Sequence, residues 1–225
     1  SRPVLPLTAM SSRLLAMSTV RGATYPVGPN YGFSMGANVH LSHPLLGSDF
    51  ELMEAHGGVT GYFRTPWLRS HSIAARLTGG MGRSNFGSRG IMFLGGFPEQ
   101  DFVSGIFYGE SMGGAPLRGY DPWSIYGSRS FQANFEYRVP IVDADLGVWT
   151  VPGYLRRLSV SAFCDVGAAS WGEMHWDDVK VGAGAEVFVQ ASLGWYLEFS
   201  LRIGYAYGFM DPGGHDFYVV LGRPF

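Results

Sequence analysis

Arg118 lies in the tetrapeptide Leu117-Arg118-Gly119-Tyr120, inside a long glycine-rich stretch that runs from Arg83 to Ser124. Its guanidinium carries five N–H donors in a planar fork that fits a carboxylate in bidentate geometry. Gly119 allows the backbone to turn sharply or to approach a neighbouring segment closely. Arg-Gly-Tyr alone is a weak motif, because it arises by chance in any long chain. Its meaning depends on the elements that position it.

Other residues with reactive side chains form no catalytic constellation in the sequence. There is no G-x-S-x-G elbow, and Ser70-His71-Ser72 would put nucleophile and base on opposite faces of a strand. Asp177, Asp178 and Asp211 lie in turns, where turn chemistry explains them as well as calcium binding does. The histidines have no metal-ligand spacing: His40, His43, His56, His71, His175 and His215. We therefore expect no enzyme activity, no metal and no cofactor.

The composition narrows the class of protein. Of the 225 residues, 46% are hydrophobic, 15% are aromatic and only 15% are charged, against about 25% charged in ordinary soluble domains. The net charge of −2 provides no basic face, so nucleic acid is not an expected partner. No stretch approaches ~18 uncharged apolar residues, so no transmembrane helix is expected. Either a soluble all-β protein or a membrane barrel fits this composition.

Apolar and small or polar residues alternate with period two along much of the chain, which predicts β-strands. We predict four strands before the long stretch: Arg13–Thr24, Tyr31–Ser42, Phe50–Arg64 with a bulge or bend at Gly57-Gly58, and Trp67–Met81. We predict five after it: Phe131–Ile141, Leu158–Gly167, Val179–Ala191, Leu197–Gly208 and Phe217–Phe225. Ile106–Gly109 is a possible further strand.

The length and facing of these strands favour a membrane barrel over a soluble sandwich. They run ten or more residues, as tilted transmembrane strands do, whereas soluble strands average 5–6. The face opposite the apolar one carries charges, which suits a wet lumen: Glu136, Lys180, Glu186, Glu198 and Arg202. Aromatic residues near the strand ends would form interfacial girdles: Tyr137, Trp195, Tyr196, Tyr205 and Tyr207.

The sequence therefore predicts an all-β, antiparallel transmembrane β-barrel of about 8–10 visible strands, with residues 1–225 as one barrel domain. Residues 83–124 would form a long lumenal loop and residues 125–225 the last five strands. A closed bacterial barrel normally has an even number of strands, and the count here is nine. Either one strand escapes the pattern, or the chain is the C-terminal part of a larger wall, or a partner chain completes it.

Several motifs in order resemble the BamA-like superfamily of outer-membrane insertases and secretion translocators, over roughly Gly95 to Phe225. Leu117-Arg118-Gly119-Tyr120 matches the hydrophobic-Arg-Gly-aromatic tip of that family's long loop. Phe163-Cys164-Asp165-Val166-Gly167 matches its aromatic-x-Asp-x-Gly signature, and Glu136 corresponds to a glutamate of the preceding strand. The C-terminal residues resemble the family's assembly signal: Phe217, Val219, Leu221 and Phe225.

The resemblance implies that the loop folds into the lumen and that its tip docks on the barrel wall at Glu136, Phe163, Asp165 and Gly167. By alternation Glu136 and Asp165 face inward on neighbouring strands, so we expect Arg118 to bind both carboxylates. Tyr120 would then pack against inward residues such as Phe163. The competing interpretation makes Arg118 a solvated loop residue, whose single surface ion pair would be worth little.

The function that the resemblance implies is ATP-independent insertion or translocation of proteins, or of lipids, at the outer membrane of a Gram-negative bacterium or of an organelle of bacterial origin. Expected partners are outer-membrane lipids including lipopolysaccharide, other outer-membrane proteins, or a chain that completes the barrel. Two alternatives remain open at this point: a structural barrel that anchors another outer-membrane protein, and an outer-membrane lipid hydrolase.

Overall fold

The computed structural model describes residues 32–46, 48, 50–66, 68, 71–85, 90–96, 117–147, 153–193 and 197–222. Within these ranges the strands are β1 (Gly32–Ser42), β2 (Leu52–Arg64), β3 (Ser72–Ser84), β4 (Met92–Leu94), β5 (Ile125–Gly127), β6 (Arg129–Gly147), β7 (Gly153–Ser170), β8 (Lys180–Leu193), β9 (Leu197–Gly208) and β10 (His215–Gly222). Two short 3-10 turns accompany them, Pro44–Leu46 and Trp176–Asp178. In the described part of the chain, no helix has the length and apolar character needed to cross a membrane.

Eight of the strands form one antiparallel sheet in the order β1-β2-β3-β6-β7-β8-β9-β10. Strands β4 and β5 pair separately as a two-stranded sheet. The prediction of an all-β antiparallel fold is confirmed. In the described ranges β1 and β10 are the two edges of the large sheet, without a pairing that closes it. The predicted strand Arg13–Thr24 lies outside the described residues.

All five strands predicted after the long stretch are present, and two of them are much longer than predicted. β6 has 19 residues and β7 has 18. Their register shifts between Pro140 and Val142. Pro140 follows Arg138, the last β6 residue that pairs with β3. Beyond that point β6 has no strand partner on its β3 side among the described residues, and an unpaired strand edge tolerates proline.

One local prediction is wrong and a second is narrowed. Strand β4 lies inside the stretch predicted to be irregular, because three residues are too few for an alternating pattern to be recognised. At Gly57-Gly58, where the sequence predicts a bulge or a bend, there is no bulge, since the register of β2 with both β1 and β3 continues through these glycines without a shift. The possible strand Ile106–Gly109 falls outside the described residues.

The two faces of the large sheet differ in polarity and exposure. One face, here called the polar face, carries Asn134, Glu136, Asp165 and Glu186, all of them buried. The opposite face, here called the apolar face, carries large hydrophobic side chains that are exposed: Leu77, Phe131, Phe135, Val160, Val187, Ile203, Phe217 and Val219. This arrangement is the reverse of a water-soluble sheet, in which apolar side chains are buried and charged ones are exposed.

Candidate functional site: a docked loop tip

The tetrapeptide Leu117-Arg118-Gly119-Tyr120, here called the loop tip, lies on the polar face with all four residues buried. An antiparallel β-bridge joins Leu117, the first residue of the loop tip, to Gly96, which follows β4. In it the Gly96 N–H donates to the Leu117 carbonyl at 2.9 Å. Gly119 has a φ of +88°, a conformation that favours glycine. The backbone reverses there and presents the Arg118 side chain to strands β6, β7 and β8.

Asp165 on β7 is the main partner of Arg118. Nε and Nη2 of Arg118 donate to Oδ2 and Oδ1 of Asp165 at 2.6 and 2.7 Å, a bidentate contact. The backbone N–H of Arg118 also donates to Oδ2, at 3.1 Å. Asn134 Nδ2 donates to Oδ1 at 2.8 Å. Because Arg118 and Asp165 are both 0% exposed, the ion pair between them is shielded from water and differs in this from a surface ion pair.

Arg118 contacts three further residues of the wall. Its Nη1 donates to Glu136 Oε1 at 3.0 Å and lies 3.5 Å from Glu186 Oε2. Its Cζ lies 3.5 Å from the centroid of the Phe163 ring, a cation–π contact. The expected pairing of Arg118 with both Glu136 and Asp165 is therefore present, and Glu186 is an additional carboxylate that the motif comparison does not indicate.

Two more arginines complete the charge balance around the tip. Arg138 Nη2 donates to Glu136 Oε2 at 2.6 Å, and Arg202 Nη2 donates to Glu186 Oε1 at 2.6 Å. Together with Arg118, three guanidinium groups face the three carboxylates Glu136, Asp165 and Glu186. Buried charges persist only when they are paired in this way, because an unpaired ion loses its hydration without compensation.

The arrangement keeps Arg118 charged. Burial works against the charged form, but the hydrogen bond to Asp165 and the charges of Glu136, Asp165 and Glu186 outweigh it. The pKa of Arg118 therefore lies above its ordinary value. An arginine never releases its proton in the normal pH range, so this cation is a fixed structural charge and not an acid or base.

Tyr120 anchors the other end of the tip. Its Oη donates to the Val181 carbonyl at 2.9 Å and accepts from the Val181 and Met210 N–H groups at 3.1 and 3.3 Å. Its ring belongs to a buried cluster with Leu94, Leu117, Ile125 and Ala169. The prediction that Tyr120 packs against inward residues of the sheet is confirmed by its cluster with Ala169. Phe163, the example given for it, belongs to a separate cluster and lies against Arg118 instead. The Tyr120 hydroxyl group thus reaches the backbone of Val181 on β8.

Glycines of the large sheet leave space for the backbone of the loop tip. Gly182 and Gly208 follow Asp165 in one transverse row across β7, β8 and β9. A Cβ on Gly182 would collide with the Arg118 carbonyl, and one on Gly208 would collide with the Gly119 carbonyl. A Cβ on Gly167 would lie 3.2 Å from Leu117 Cδ2. The wall thus has a shallow groove, lined by backbone, in which the tip lies.

The residues of the predicted assembly signal are only partly described. Phe217 and Val219 are on the apolar face of β10, 81% and 69% exposed. Leu221 pairs with Leu201 in the β9–β10 register, and Phe225 lies outside the described residues. Phe217 and Val219 therefore lie on the face opposite the one that carries the loop tip.

The sequence contains a signal for most of the partners that were not singled out. Alternation already places Arg138, Glu186 and Arg202 on the same face as Glu136 and Asp165. Tyr218 is a further partner, whose hydroxyl group donates to Glu186 Oε2 at 2.9 Å. It lies between the apolar Phe217 and Val219, so the strand period indicates its inward facing but nothing in the sequence indicates its contact with Glu186.

Compared with protein-family models and with curated proteins, the chain matches none.

Proposed function

We propose that this chain is an outer-membrane β-barrel of the BamA-like type, which inserts or translocates proteins, or lipids, at the outer membrane. In this proposal the sheet closes into a barrel, with the polar face toward the lumen and the loop tip docked inside. Closure requires the edge strands β1 and β10 to be paired, with a second chain as one way to complete the wall. The ordered motifs of the sequence support the assignment, and the contacts of Arg118 support the role of the tip.

The apolar face supports contact with lipid. Val160, Val187, Ile203 and Val219 follow one another across β7, β8, β9 and β10 in register, and all of them are exposed. An apolar surface of this extent is unfavourable in water, because each Å² removed from water gains about 25 cal/mol. In a bilayer the same surface faces hydrocarbon, and the strands satisfy their backbone groups through pairing.

The single observation that carries the proposal is the buried Arg118, bound in bidentate fashion to Asp165 and singly to Glu136. A long loop that only covered the barrel mouth would not require a buried cation matched to carboxylates on neighbouring strands. We infer that the docked tip keeps the loop inside the barrel and fixes the wall strands relative to one another while the barrel acts on its client.

Reconstitution of the full chain in lipid vesicles tests the proposal. The measured quantity is the rate at which an unfolded eight-stranded client barrel inserts into vesicles with and without this protein. We expect the wild-type protein to accelerate insertion and Arg118→Ala to lose most of that acceleration. Arg129→Ala is the matched control, since Arg129 is an exposed arginine at the start of β6. Equal client insertion with and without the wild-type protein contradicts the proposal.

The structural alternative, a barrel that only anchors another outer-membrane protein, has one observation in its favour. Arg118 is completely buried and its donors meet Asp165 and Glu136, as in a permanent brace. Under this alternative the vesicles show no acceleration by any variant, while Arg118→Ala still lowers the stability of the barrel. The two measurements together separate an active barrel from a passive one.

A further inference from the structure

Glu186 on β8 lies at the junction of four segments. Its Oε1 accepts from Ser161 Oγ of β7 at 3.1 Å and from Arg202 Nη2 of β9 at 2.6 Å. Its Oε2 accepts from Tyr218 Oη of β10 at 2.9 Å and lies 3.5 Å from Arg118 Nη1 of the loop tip. Glu186 is 2% exposed. Arg118 of the loop tip and Tyr218 of β10 thus share one carboxylate oxygen.

The approach of Tyr218 depends on a glycine. Glu186, Gly204 and Tyr218 follow one another in a transverse row across β8, β9 and β10. A Cβ on Gly204 would collide with Cζ and Oη of Tyr218, so the tyrosine ring occupies the space of the missing side chain. The Tyr218 side chain of the edge strand β10 therefore passes over β9 and reaches the Glu186 carboxylate on β8.

We propose that Glu186 is a positioning residue that couples the docked loop tip to the edge strand β10. With the tip docked, Glu186 faces two guanidinium groups, Arg118 and Arg202. Withdrawal of Arg118 leaves two arginines against three buried carboxylates, an imbalance that low polarity makes costly. Arg202 Nη2 is also 3.5 Å from Glu136 Oε1, so it is the cation placed to move from Glu186 toward Glu136. Glu186 then loses both Arg118 and Arg202 as partners, and the hydrogen bond that it accepts from Tyr218 changes as a result.

Hydrogen exchange of the full chain in detergent micelles tests the coupling without any client, so the outcome is independent of the proposed function. The Arg118 backbone N–H donates to Asp165 and reports docking of the tip. The amides of β10 report the edge strand. We expect Tyr218→Phe, which removes only the hydroxyl group, to accelerate exchange at Arg118 by about 3- to 10-fold. Reciprocally, Arg118→Lys accelerates exchange in β10 by a similar factor.

Val219→Ala is the matched control, because Val219 neighbours Tyr218 in β10 but lies exposed on the apolar face. We expect it to leave exchange at Arg118 unchanged. In a Glu186→Gln background, Tyr218→Phe should have no further effect on the tip. Gly204→Ala, which displaces the Tyr218 ring, should act like Tyr218→Phe. An unchanged tip in Tyr218→Phe, an equal response to Val219→Ala, or an effect that persists in Glu186→Gln overturns the proposal.

Discussion

The contact between Arg118 and Asp165 depends on the shape of the guanidinium as much as on its charge. Nε and Nη2 bind the two oxygens of one carboxylate while Nη1 binds Glu136, and the flat face lies on the Phe163 ring. A lysine ammonium is a point charge on a flexible stem and reproduces neither the bidentate fork nor the stacking. The site therefore discriminates between two side chains of equal charge.

We expect Arg118→Lys to lower the free energy of unfolding by about 2–3 kcal/mol, because buried carboxylate oxygens lose charged hydrogen bonds. Urea unfolding of the protein in micelles measures this change as a shift of the midpoint at constant slope. Arg129→Lys, at an exposed position, should remain within about 0.5 kcal/mol of the wild type. Equal midpoints for the two variants would show that charge alone accounts for the contact.

At the scale of elements, strands β8 and β9 provide the groove through their glycines. Gly182 lies directly beside Asp165 in the β7–β8 register, and the Arg118 carbonyl occupies the space where a side chain would be. A side chain at position 182 would displace the loop tip, while the extended backbone of β8 at that position suits any residue. This position separates docking of the tip from folding of the sheet.

We expect Gly182→Ala to displace the tip while the sheet remains folded. Chymotrypsin cleavage after Tyr120, which is buried when the tip is docked, should accelerate by about tenfold or more. Gly57→Ala is the control, since a Cβ there would have no neighbouring atom closer than 3.7 Å. Cleavage at the wild-type rate in Gly182→Ala would mean that the tip tolerates the methyl group and that the groove is not required.

The strands of the large sheet are predictable from the sequence, because each must present one apolar and one polar face and period two records this directly. The shared facing of Glu136 and Asp165 is predictable for the same reason, whereas their binding to Arg118 is expected from the resemblance of the loop motif, which the period alone does not give. Strand β4 is not predictable, since three residues carry no period. Neither is the direction of Tyr120, which depends on the left-handed turn at Gly119 and on Val181 across the groove.

At the scale of the whole molecule, the reversed polarity of the two faces makes a distinct prediction for folding. Ile203 is exposed in the middle of the apolar face, and in water a lysine at such a position would be tolerated. If the face contacts hydrocarbon, Ile203→Lys lowers the stability of the lipid-folded state by about 2–4 kcal/mol. Folding into phosphatidylcholine vesicles during urea titration, followed by gel mobility, measures the difference.

Met174→Lys is the control for that experiment, because Met174 is exposed in the connection between β7 and β8, outside the sheet. We expect it to fold like the wild type. If Ile203→Lys also folds like the wild type in vesicles, the apolar face does not contact lipid, and another protein surface must cover it.

The position of the tip along the chain has a consequence for the order of assembly. Arg118 precedes every strand that it binds: Glu136 is 18 residues later, Asp165 is 47 residues later, and Glu186 is later still. Closing such contacts requires the intervening strands to be in place, so the ion pairs form late in folding. Before β6, β7 and β8 have paired, Arg118 is solvated, because its three carboxylate partners are not yet together on one face. We therefore expect the loop tip to dock only after strands β6, β7 and β8 have paired.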